Sequence, residues 1–219
     1  MKKLLFIGVL SLLAANGNAQ ETKFGAKAGY SFSAVKVNEA QDDLSARSTS
    51  NKSTFYVGAF VEHKLSDKFG IQGELLYSPL GGKENVSESL GEFNFSQKSE
   101  IKFGTLLIPV SAKYFISESF SVAAGVNFGI ILSAKQKTEV SGNFPEGVEV
   151  EAEDGEFDIK DNVKKLNLVP FVGVEYALEN GLFFDARYNL GVSNLVKEGP
   201  GKVTNSFAQI GIGFKFGGN

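Results

Sequence analysis

Cysteine and tryptophan are absent from this 219-residue chain, histidine and methionine occur once each, and there are five prolines. Without cysteine there is no disulfide, no thiolate metal site and no thiol nucleophile. A single histidine, His63, excludes a multi-histidine metal centre. Net charge is −3, so no basic field recruits nucleic acid. Beyond residues 4–13 no continuous apolar run exists, and a membrane-spanning helix needs about 20 apolar residues. What is plentiful is glycine (25) and phenylalanine (20), a mix suited to many short strands and turns.

The N-terminus reads as a separate object. Lys2 and Lys3 precede the apolar residues 4–13, and the small residues Ala14, Ala15, Gly17 and Ala19 follow. A basic start, a short apolar core and small residues before a cut describe a secretory signal peptide. The expectation is residues 1–19 as signal peptide, cleavage after Ala19, and one domain over 20–219.

From Thr22 onward the hydrophobic period is two. Eight runs alternate: Phe24–Ala26–Ala28–Tyr30–Phe32, Phe55–Val57–Ala59–Val61, Phe69–Ile71–Gly73–Leu75–Tyr77, Leu106–Ile108–Val110–Ala112–Tyr114, then Phe120 to Leu132, Leu166 to Tyr176, Leu182 to Leu190 and Ala208 to Phe216. Short turns at 65–68, 116–119 and 178–181 alternate with long polar stretches near 34–53, 79–100 and 134–164, and a shorter one near 194–203. That asymmetry is the signature of an eight-stranded antiparallel up-and-down transmembrane β-barrel.

Alternation alone also fits a soluble, lipocalin-like periplasmic carrier with its apolar face inward. The composition of the other face separates the two. It is rich in Gly, Ser and Asn, interleaved with Tyr56, Phe60, Phe171, Phe183 and Phe207, as the inside of a narrow barrel requires. The apolar face carries Tyr30, Phe55 and Tyr77 toward one end and Phe69, Tyr114, Phe120 and Tyr176 toward the other, as two aromatic girdles would. A one-residue slip would aim Glu74, Lys113, Glu175, Asp185 and Arg187 at lipid. Each basic residue at the midplane then costs about 2–4 kcal/mol, so the register is strongly specified.

Four segments carry a resemblance: 106–115 (LLIPVSAKYF), 73–78 (GELLYS), 185–191 (DARYNLG) and 209–216 (QIGIGFKF). They resemble the PorT-like outer-membrane β-barrel family of Bacteroidota, from about Lys23 to Phe216. The resemblance implies an outer-membrane barrel of about eight strands and no particular activity. One member of that family is tied to type IX secretion. The chain departs from the pattern at its end, where residues 217–219 follow Phe216, the aromatic that barrel-assembly machinery would read.

Four features carry candidate chemistry. Lys27, Glu62, Glu74, Lys113, Glu175, Asp185, Arg187 and Lys215 share the lumen parity, and buried charges must pair. The expectation is a salt-bridge network through the barrel centre that holds it shut, with a gate or proton-linked conduit as the alternative. Glu146, Glu149, Glu151, Glu153, Asp154, Glu156 and Asp158 form an acidic stretch whose spacing matches no calcium loop; the ordinary reading is a solvated loop. His63 falls near the turn end of the second strand on the lipid parity, without a catalytic partner. Gly211, Gly213 and Gly217 lie on a terminal strand rather than a strand–turn–helix, so they are not a nucleotide fingerprint.

No catalytic residue, cofactor site or metal site is assigned. The favoured function is a non-enzymatic barrel serving membrane integrity, surface contact or scaffolding, the last linked to type IX secretion. Its expected partners are outer-membrane lipid and lipopolysaccharide, the assembly machinery during insertion, and a secretion or surface protein, with no nucleic acid. A narrow solute channel or ligand-binding barrel is the alternative, and the soluble carrier is a further one.

Overall fold

The computed structural model describes residues 22–38, 47–48, 52–90, 93–143, 155–198 and 201–217. The expected signal peptide and residues 146–154 of the acidic stretch lie outside these. Among the described residues ten strands occur: β1 (Thr22–Asn38), β2 (Arg47–Ser48), β3 (Lys52–Lys64), β4 (Phe69–Leu90), β5 (Phe93–Phe115), β6 (Phe120–Asn143), β7 (Gly155–Asp158), β8 (Leu166–Ala177), β9 (Leu182–Asn189) and β10 (Lys202–Phe216). Eight run β10-β9-β8-β6-β5-β4-β3-β1, every pairing antiparallel, and β10 pairs with β1 to close the ring. The two-residue β2 adds to β1, and β7 adds to β6.

Side-chain chemistry sets the three tight turns. Ser66 Oγ accepts from the Phe69 amide and Ser117 Oγ from the Phe120 amide, both at 3.1 Å. In the third turn Asn180 Oδ1 accepts from the Leu182 amide at 3.1 Å, and Gly181 supplies the φ of +88°. These are the polar-turn residues that replace a backbone partner locally.

The aromatic rings stand where the alternation puts them. Tyr30 is the cross-strand partner of Phe55, whose ring centroid lies 6.3 Å from that of Tyr77. At the turn end the Phe69 and Tyr114 centroids are 5.2 Å apart, and Phe120 pairs with Tyr176. Between these ends the outer wall is bare hydrocarbon, with Leu75, Val110, Val126, Val172, Ile210 and Ile212 all exposed. An apolar belt of that extent is a membrane-contacting surface.

Two of the expected polar loops are strand instead. β4 and β5 stay paired from Ser78↔Thr105 to Leu90↔Phe93, so 79–90 and 93–100 form a hairpin projecting past the barrel rim. β6 follows β5 out to Asn143. Above the membrane a strand needs no apolar face, so period two in hydrophobicity vanishes while backbone pairing continues. Charge ladders replace it: Glu100 lies 3.3 Å from Lys52, 3.4 Å from Lys102 and 4.0 Å from Lys83, and Lys137 and Glu139 are 2.5 Å apart. Where the rim is crossed, β6 carries a bulge opposite Gly104 and Thr105, which puts both Ile131 and Ala134 inside.

Val163 and Leu195, from two of the remaining connections, turn inward. Val163 bridges Val196, and the Leu195 carbonyl accepts from the Lys164 amide at 2.7 Å. Leu195 and Val163 then pack with Val35, Phe103, Ile131 and Ala134 as an apolar cap over the loop end of the lumen.

Candidate functional site

Seven of the eight barrel strands, all but β6, bring charged lumen residues to the half of the barrel nearest the tight turns, while Lys52 on β3 is buried at the loop end. Along β4 the inward order from that end is Gln72, Glu74, Leu76, Ser78, Leu80; along β5 it is Lys113, Ser111, Pro109, Leu107, Thr105. All eight charged residues named from the sequence point inward, and the structure sorts them into two clusters.

In the cluster nearest the turns, Lys113 Nζ donates to Glu62, to Glu175 Oε2 at 2.9 Å and to Gln72 Oε1 at 3.1 Å. Lys215 Nζ donates to Glu175 Oε1 at 2.7 Å and to Glu62 Oε2 at 3.0 Å. In the second cluster, Lys27 Nζ lies 2.8 Å from Glu74 Oε2 and 3.3 Å from Asp185 Oδ2. Arg187 Nη2 donates to Glu74 Oε1 at 2.8 Å, and Tyr56 Oη donates to Asp185 Oδ1 at 3.0 Å. Each cluster holds two cations and two anions, so each is electrically neutral. Neutrality and multiple hydrogen bonds are what a low-dielectric interior demands of buried ions.

Two features of this arrangement escape sequence reading. Gln72 joins the clusters, accepting from Lys113 and donating through Nε2 to Glu74 Oε1 at 2.9 Å. Every cluster cation also lies over a lumen ring: Lys27 over Tyr56 at 5.9 Å, Lys113 over Phe115 at 5.7 Å, Arg187 over Phe171 at 5.0 Å and Lys215 over Phe183 at 5.5 Å. A desolvated cation–π contact contributes about 2 kcal/mol, which gives the inward aromatics an electrostatic role beside their bulk. Glycine makes room for them: a Cβ on Gly211 would lie 1.9 Å from Tyr56 Oη.

Toward the loop end the lumen turns apolar, then polar, with Lys52 as a buried charge paired to Glu100 at the rim. Tyr56, Leu76, Leu80, Leu107, Val169 and Phe207 form one buried layer. Threaded through and above it, Gln209 Nε2 donates to Ser31 Oγ at 3.1 Å, Asn189 Nδ2 to Gln209 Oε1 at 3.3 Å, and Asn205 Nδ2 to Ser33 Oγ at 2.8 Å. Ser33 Oγ donates to the Gly81 carbonyl at 2.7 Å, fastening β1 to β4 beneath the projecting hairpin.

The other candidates are placed as follows. His63 Nδ1 is 2.8 Å from Thr22 Oγ1, a contact that ties the end of β3 to the start of β1. From the acidic stretch, Glu156 pairs with Lys135 at 2.5 Å, and Asp158 Oδ1 accepts from the Lys160 amide at 2.9 Å. Among the described residues no group of three or more acidic or histidine side chains is placed to hold a metal ion. No helix among them is long and apolar enough to cross a membrane; strands make the crossing here.

A closed ring of eight antiparallel strands with a lipid-facing apolar wall and an ionic interior is a transmembrane β-barrel of the outer-membrane type. The model of the outer membrane protein beta-barrel domain family matches residues 18–197, and the chain belongs to that family. No curated protein matches it. Among solved structures it is similar to Ail of Yersinia pestis bound to the heparin analogue sucrose octasulfate, at 15% identity over 90% of this chain and 99% of that one, TM-score 0.46. OprG of Pseudomonas aeruginosa is 14% identical over 91% and 98%, TM-score 0.42. Neisserial surface protein A is 14% identical over 89% and 97%, TM-score 0.36.

Proposed function

We propose that this protein is a closed, non-catalytic outer-membrane barrel, acting through membrane integrity and through contacts made by its outward hairpin and loops. The filled lumen carries this reading. Two neutral ion clusters, the Tyr56–Leu107–Phe207 layer and the Val35–Leu195 cap follow one another along the axis. The network of eight charges is on this reading structural: it joins β1, β3, β4, β5, β8, β9 and β10 through the centre. His63 is bonded to the Thr22 hydroxyl, and among the described residues no acidic side chain is hydrogen-bonded to it.

Within the family, the segments 106–115 and 185–191 support the PorT-like group, and with it a scaffolding role beside a type IX secretion apparatus. Export with cleavage after Ala19, insertion by the assembly machinery, and contact with lipopolysaccharide belong to the same reading. N-terminal sequencing of protein recovered from outer membranes tests the cleavage, with Gln20 as the expected first residue.

Planar-bilayer recording of the purified protein tests closure. The expected result is no unitary current. Reproducible steps that scale with salt would overturn the reading and make the barrel a narrow channel.

A further inference from the structure

The lumen is not sealed evenly at its two ends. At the turn end, which faces the periplasm in barrels of this kind, a vestibule of about 330 Å³ is lined by Lys23, Lys64, Phe115 and the inner pair Glu62 and Lys215. Its floor is therefore the first ion cluster. Behind that floor, between the two clusters, lies a second cavity of about 20 Å³ lined by Gln72, Glu74, Lys113, Glu175, Asp185 and Arg187. Side-chain exposure is low throughout: 8% and 9% at Lys215 and Glu175, 2% and 3% at Lys113 and Glu62, 7% and 5% at Arg187 and Asp185, and 1% at Lys27 and Glu74. Beyond it the Leu107, Val169 and Phe207 layer is at most 1% exposed.

The small cavity has the properties of a water site. It exceeds the roughly 10–15 Å³ that one water needs, and seven of its twelve lining residues are polar or charged, the others being Ala123, Phe171, Gly173, Val174 and Ala186. Arg187 leaves its Nη1 without a hydrogen-bond partner although the side chain is 7% exposed. A buried guanidinium N–H left unpaired keeps its full desolvation penalty, and a water is small enough to satisfy it here. An apolar cavity of this size stays dry; an ionic one does not.

We propose that the lumen is a blind half-channel: water enters from the periplasmic vestibule, one molecule occupies the gap between the ion clusters on Arg187 Nη1, and the Leu107–Val169–Phe207 layer stops it. The eight charges then form one hydrated chain that exchanges with periplasmic water and is isolated from the outer face. This deepens the closed-barrel reading and rests on it.

The absence of cysteine makes the test direct. Single cysteines are placed at Ser111→Cys and Ala123→Cys, which line the gap, and at Thr105→Cys and Asn205→Cys, outward of Leu107 and Phe207 on their strands. Each full-length variant is refolded into phospholipid nanodiscs, its heat-shifted gel mobility checked, and the thiol titrated with silver ion, which is close to water in size. The expected result is that Ser111→Cys and Ala123→Cys react at least about tenfold faster than the other two, a barrier difference of ~1.4 kcal/mol. Protection of all four sites would overturn the hydrated gap and leave the closed barrel standing. Equal reaction at all four would overturn the blind end and the closed barrel together.

A measurement on the unaltered chain stands beside these in case a cysteine disturbs folding. Arg47 and Arg187 are the two arginines in the sequence, so ¹⁵N-arginine labelling gives two guanidinium signals, separated by Arg47→Lys. A water cross-peak at the Arg187 guanidinium is expected, and its absence would overturn the site.

Discussion

Replacing Lys113 by methionine keeps the length of the side chain and removes its charge from the middle of the first ion cluster. Glu62 and Glu175 then share Lys215 alone, and Gln72 Oε1 loses its donor. The cluster passes from neutral to one net negative charge, at side chains that are 3% and 9% exposed. Removing one partner of a buried pair costs about 3–5 kcal/mol, because the partner left behind is desolvated and uncompensated. That is a large part of a typical domain stability of about 5–15 kcal/mol. With an m-value of about 1–3 kcal/mol per molar urea, the unfolding midpoint should fall by ~1–5 M. The assay is the fraction of heat-modifiable band surviving in lipid vesicles across a urea series. The decisive control is the double variant Lys113→Met with Glu62→Gln. It restores neutrality around the intact Lys215–Glu175 pair and should recover most of the loss, since neutral replacement of buried ions is often nearly free. The reasoning fails if Lys113→Met unfolds at the wild-type midpoint, or if the double variant is no more stable than the single one.

Three further outcomes are expected. Val172→Arg, near the middle of β8 on the lipid face, should cost about 2–4 kcal/mol of folding stability in a bilayer, whereas Val172→Leu should be close to neutral in the same urea series. Gly211→Ala should displace the Tyr56 ring from Asp185 and destabilise by about 1–3 kcal/mol; a structure of the variant with the Tyr56–Asp185 bond intact would refute the packing argument. Outside the membrane-spanning segments, partial burial raises the Glu100 pKa, but Lys52, Lys102 and Lys83 together hold it below the usual carboxylate value. A depressed carboxylate stabilises above its unfolded pKa of about 4.3 and loses that contribution as pH falls through the folded value. Protection factors of the projecting β4–β5 hairpin amides, corrected for intrinsic exchange, should therefore fall below about pH 4 in the wild type and show a smaller change over the same range in Glu100→Gln.

The barrel itself was legible in the chain because lipid imposes the strictest pattern a strand can carry. Every second residue from Phe120 to Ile130 and from Ala208 to Phe216 must be apolar or small, and a slip by one exposes charge to hydrocarbon. The candidate ion network was legible by parity for the same reason: Lys27, Glu74 and Arg187 have one face on which they can stand. The projecting hairpin was not legible. Along 79–90 and 93–100 the sequence carries no apolar period, and the strand character resides in backbone pairing and in contacts such as Lys83–Glu100.

By itself, then, the sequence determined strand number, register and which face meets lipid, because each follows from the local alternation of side chains. Only the tertiary structure decided how eight inward charges divide into two neutral groups, that Gln72 joins them, and that Leu195 and Val163 return to cap the lumen. Several of those contacts link residues more than a hundred positions apart, as Glu74 with Arg187 or Lys27 with Asp185. Their distances are set by barrel closure and the stagger of its strands, which no local pattern records.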